Sequence, residues 1–158
     1  ISGFCVGQRL NHHSENPNRG FLPLLDDVSA SEEARILMHH EVMLTDLGRD
    51  GVLSCHEDLS RSSTYIYANE SGPTPSQLAL KMRDSHAQFF SLQGDGLLDG
   101  CKLNDGIVFN HPDSSFEAWL HLCGAASSYC TETPGLANFE TRVLANAAMV
   151  KTFIECHM

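Results

Sequence analysis

The chain has 158 residues, 42% of them hydrophobic, which suits one domain with a real core, or a compact helical domain with arms. Its formal net charge of −10 argues against nucleic-acid phosphates and anionic membranes as main partners and is compatible with cation binding. No stretch approaches the length and apolarity of a membrane-spanning helix, so no membrane insertion is expected.

Residues 1–30 read as an irregular arm, with the turn-rich "NHHSENPNRG" followed by "FLPLL", which Pro23 breaks. Ser29 with Glu32 three residues on reads as a capping box. It opens a helix whose apolar stripe is Ala34, Leu37, Met38, Val42 and Met43, ending near Gly48 and Gly51. A short second helix is expected from Glu57. "STYIYA" is the one β-like stretch, and "ANESGPTPSQ" a loop. A further helix runs from Ser76, until the three glycines of "QGDGLLDG" stop it. Another starts after Pro112, with Asp113 or Ser114 as cap. The last opens at Thr133-Pro134, with Leu136, Phe139, Val143, Val150 and Ile154 on its core face. The expected fold class is mostly α, with Trp119 in the core.

Residues 43–60, "MLTDLGRDGVLSCHEDLS", place acids at relative positions 1 and 5, a glycine at 6, an aliphatic at 8 and a glutamate at 12. Calcium is a hard ion that takes six to eight oxygens, and three carboxylates supply both charge and dentation. This stretch resembles an EF-hand loop. The resemblance implies Asp46, Asp50, the Val52 carbonyl, Ser54 and Glu57 as Ca2+ ligands, with Gly51 at the sharp turn and Gly48 supplying no side-chain oxygen. A second loop at residues 91–102 resembles a silent partner, since Ser91 and Lys102 stand where ligands belong. The domain reading is therefore an arm over 1–30, an EF-hand-like pair over 31–103, and C-terminal helices over 104–158 on the same core.

Nine histidines include no H-E-x-x-H, and six cysteines no C-x-x-C. The local Cys/His groupings are Cys55-His56 and His121-Leu122-Cys123, and neither brings four zinc ligands together. Nucleophile elbows, Walker loops and dinucleotide glycine patterns are absent, so no enzyme is expected. The even cysteine count and the Asn69-Glu70-Ser71 sequon lean toward a secreted, disulfide-bonded protein. Cys123 and Cys130 would bridge only if the helix breaks between them. The expected function is calcium binding, structural or as a weak sensor with a protein partner. The alternative is a metal-free helical binding or structural protein whose acidic turns only resemble such loops.

Overall fold

The structure is a computed structural model, and it describes residues 10–22 and 29–158. In chain order the elements are α1 (Glu32–His39), α2 (Glu41–Leu47), β1 (Val52–Asp58), β2 (Tyr65–Glu70) and α3 (Gln77–Ala87). There follow β3 (Gly96–Leu98), β4 (Cys101–Asn104), β5 (Ile107–Phe109), α4 (Phe116–Leu122), β6 (Ser127–Pro134) and α5 (Phe139–His157). The six strands form one sheet in the order β1-β6-β2-β5-β4-β3. Strand β6 runs parallel to β1 and antiparallel to β2, and β2 runs parallel to β5. The fold is mixed α/β, which corrects the mostly α expectation.

Two short signals build the outer half of the sheet. Leu98 pairs with Cys101 across Asp99-Gly100, and Asn104 pairs with Ile107 across Asp105-Gly106. All four linking residues have positive φ (50°, 85°, 51° and 72°), as two-residue type I′ hairpins require. Asp-Gly meets that requirement, because glycine carries no Cβ and aspartate tolerates the left-handed region. The stretch expected as a second, silent calcium loop is therefore a hairpin entry.

The helices begin on side-chain caps. Ser31, Ser76 and Ser115 accept hydrogen bonds from the amides of Ala34, Ala79 and Ala118, and Asn138 caps α5 through the Thr141 amide. The Ser76 start agrees with the sequence. The cap expected at Ser29 falls to Ser31, and that at Asp113 or Ser114 falls to Ser115. Asp113 instead accepts from the Ser115 amide and hydroxyl, at 3.1 and 2.6 Å. Thr133 and Pro134 close strand β6 rather than opening a helix.

The helices α3 and α5 pack together on one face of the sheet. There Ile66, Ala68 and Tyr129 meet Ala79, Met82 and Met149. Phe21, Ala34, Trp119, Leu120 and Ala125 form a second cluster, against which Val52 packs. The expected core face of the last helix points outward: Phe139, Val143, Val150 and Ile154 on α5 and Leu136 in the turn before it are exposed, and Ala145 and Met149 are buried instead. Among the described residues no helix is long and apolar enough to cross a membrane. Cys55, Cys101, Cys123, Cys130 and Cys156 are free, which corrects the disulfide expectation for them; Cys5 lies outside the described residues.

Candidate active site

In a strand, successive side chains alternate between faces. On β6, Tyr129 belongs to the helix-packed core, while Cys130 and Glu132 line a cavity on the opposite face. Register extends this across three strands. Glu132 stands beside His56 of β1 and opposite Tyr65 of β2; Cys130 stands beside Ser54 and opposite Tyr67. Five of these six residues, Ser54 excepted, line the cavity of about 940 Å³. It lies toward the C-terminal ends of the parallel pair β1 and β6, where α/β sheets commonly carry their ligands.

His56 sits between two carboxylates. Its Nδ1 is 3.8 Å from Glu132 Oε1, and its Nε2 is 3.6 Å from Glu117 Oε1. Glu117 comes from α4, its side chain is only 4% exposed, and its other oxygen accepts from Asn18 Nδ2 at 3.0 Å. Glu132 is the more open acid, at 15%. The two acids therefore differ in setting: one is buried and hydrogen-bonded behind the imidazole, the other reaches into the cavity. Burial, with the nearby charges of Glu117 and Glu132, pushes the Cys130 thiol well up, so it stays protonated.

Among the described lining residues Arg19 is the one lysine or arginine. It lies 3.7 Å from Asp113, and its Nη1 donates to the Asn18 carbonyl at 2.7 Å. At the other rim Tyr65 donates to Asp58 Oδ2 at 2.9 Å. Burial acts to raise the Asp58 carboxyl. Bonds from Ser60 and Tyr65, with Arg61 nearby, outweigh it and hold the acid below its ordinary value. Asn69 of the sequon lines the cavity from a buried strand position.

The residues expected to ligate calcium are spread out. Asp46 lies in α2 and pairs with Arg49. Asp50 follows, its carbonyl 3.0 Å from His157 Nε2, and a Cβ on Gly51 would come within 3.1 Å of Phe153. Val52, Ser54 and Glu57 are all in β1. A strand advances about 3.3 Å per residue, so Val52 and Glu57 lie roughly 16 Å apart along it. Val52 and Ser54 share one face and Glu57 takes the other, where it pairs with Arg142 of α5. Ligands to one calcium ion must all lie within about 2.5 Å of it. The extended backbone does not bring these residues around one ion.

What the sequence reading missed is the pairing of His56 with Glu132, 76 positions apart, and no local spacing announces it. Cys55, weighed there as a partner of His56, is the strand neighbour of His56 and so points to the opposite face.

The architecture is shared with solved peptidase structures. A candidate metallopeptidase from Shewanella denitrificans is 43% identical, with a TM-score of 0.91 over 98% of this chain and 57% of that one. One from Shewanella amazonensis is 40% identical, with a TM-score of 0.91 over 98% of this chain and 60% of its own. A metallo-carboxypeptidase from Burkholderia cenocepacia, 17% identical with a TM-score of 0.57, shares the fold alone. The chain thus spans a little under two thirds of the Shewanella proteins it matches. No protein-family model and no curated protein matches it. These neighbours overturn the EF-hand resemblance, the calcium function and its metal-free helical alternative, and the expectation of no enzyme.

Proposed function

We propose that the chain carries part of the active site of a metal-dependent hydrolase that cleaves an amide bond. The observation that carries this reading is His56 held between a buried and an open carboxylate, at the C-terminal ends of two parallel strands. The donors fit a borderline-soft divalent ion such as zinc, since His56, Cys130 and Glu132 each offer a ligand atom within 4.8 Å of the others. Nε2 is the His56 ring nitrogen nearest Glu117, and Nδ1 is the one turned toward Glu132. His56 would hold the metal through Nδ1, with the Cys130 sulfur a second donor in reach once metal binding displaces its proton. When bound, the ion supplies Lewis acidity toward a carbonyl and toward water.

The chain's own groups supply the rest. Glu117 orients the imidazole, as carboxylates behind metal-ligating histidines commonly do. Glu132, open to the cavity, takes the proton from an attacking water and returns it to the leaving amine. Arg19 offers a guanidinium to a substrate carboxylate at the same cavity, which favours a peptide or acyl amino acid with a free carboxylate near the scissile bond. The solved Shewanella neighbours, described as candidate metallopeptidases, support the same reaction class.

The test is zinc content and turnover of a panel of short peptides with free or amidated C-termini, measured on the full protein. His56→Ala should lose bound zinc. Glu132→Gln, with zinc supplied in excess, should lose roughly 10²–10⁴-fold in turnover. Zinc retained in His56→Ala, or full turnover in Glu132→Gln, would overturn the assignment.

A further inference from the structure

Behind Glu132, on the helix-packed side of the sheet, lies a polar chain that the proposed reaction does not use. Thr64 Oγ1 donates to the Glu132 carbonyl at 3.0 Å and contacts His86 Nδ1 at 2.7 Å. A hydroxyl has one proton. With that proton on the Glu132 carbonyl, the second contact requires His86 to donate from Nδ1–H. His86 is fully buried on α3, and its Nε2 has no hydrogen-bond partner. Thr64 is itself fixed, its amide donating to Ser91 and its carbonyl accepting from Gln93, both at 2.9 Å.

The position of this chain is informative. Tyr65 with Glu132 is the end pair of the β2–β6 ladder; beyond it β6 continues beside β1 alone, to Pro134. Glu132 therefore stands where pairing on one side stops. The Thr64 hydroxyl extends the restraint to its peptide plane, which sets the direction in which the carboxylate leaves the strand. We propose that Thr64, held by His86, is a positioning residue that aims the Glu132 carboxylate into the cavity. The inference rests on the reading of Glu132 as proton acceptor, while its geometric content can be measured without metal or substrate.

The experiment compares wild type, Thr64→Val, Thr64→Ser and His86→Phe. The Glu132 side-chain rotamer is read by NMR couplings in the metal-free protein, and kcat and KM with zinc and a cleaved peptide. In wild type and Thr64→Ser one rotamer is expected. In Thr64→Val, with the remaining spectrum folded, the couplings should average, kcat should fall about tenfold, and KM should stay within twofold. His86→Phe, which keeps the hydroxyl but not its donor, should lie between and serves should Thr64→Val fail to fold. An unaveraged Glu132 in both variants would overturn the proposal. Rotamer averaging with no zinc binding or turnover in any form, wild type included, would leave the clamp standing and overturn the hydrolase reading instead.

Discussion

His86 makes the stability of this fold depend on mild acid. Burial lowers its pKa from an ordinary 6.5 to about 4. In the unfolded chain the imidazole takes up a proton as pH falls through 6.5; in the folded protein it does not until about pH 4. Neutral His86 thus contributes stability that is fully present above pH 6.5 and is lost progressively between 6.5 and 4. At roughly 1.4 kcal/mol per tenfold change in proton affinity, the total is about 3 kcal/mol, a large share of a typical domain's stability. Near pH 5.5 the slope should approach about 1.2 kcal/mol per pH unit, close to one proton taken up on unfolding. Urea denaturation at half-unit steps from pH 7.5 to 4.5 would measure it, in wild type and in His86→Leu. The variant should be less stable at pH 7 yet flatter with pH, and subtracting the two curves removes the carboxylates common to both. Equal slopes in the two proteins would refute the assignment of a neutral, buried His86.

Other perturbations probe separate parts of the structure. Met149→Ala empties a fully buried position between α5 and the sheet and should cost about 2–5 kcal/mol, read from the denaturation midpoint. Glu70→Ala strips the acceptor from the Tyr129 hydroxyl and from the Ser76 amide and hydroxyl at the start of α3. About 3 kcal/mol of lost stability is expected, and amide exchange in α3 should quicken first. Gly106→Ala forces a Cβ into a φ of +72°, 3.0 Å from Leu92, and should cost about 1–2 kcal/mol by the same unfolding assay.

How much of this was legible depends on which face a residue serves. Helix α3 is legible from Ser76 as a helical run, and the structure adds the Ser76 cap and the buried Ala79 and Met82. Strands β3 to β5 were equally available: Asp99-Gly100 and Asp105-Gly106 between short apolar runs are a hairpin signal, but the first is taken into the silent calcium loop and the second into the C-terminal helices. Strand β6 hid for another reason. "SSYCTETP" shows no apolar–polar alternation, since one face buries Tyr129 among threonines and the other presents Cys130 and Glu132 to a cavity. A functional strand trades its hydrophobic pattern for chemistry. Strand β1 likewise placed Ser54, His56 and Glu57 where a calcium loop was sought. The pairing of His56 with Glu132 is a consequence of register, and register is absent from any single stretch of sequence.

The double use of β6 bears on how substitutions along it would sort. Read from Ser127 to Pro134, odd-numbered positions face α3 and α5 and even-numbered positions the cavity side. A saturation library over these eight residues, scored separately for abundance and for turnover, should therefore separate by parity. Changes at Tyr129 or Thr131 should remove protein from the soluble pool. Changes at Cys130 or Glu132 should leave it abundant and inactive. A one-residue insertion before Tyr129 exchanges the two sets and should fail both scores at once.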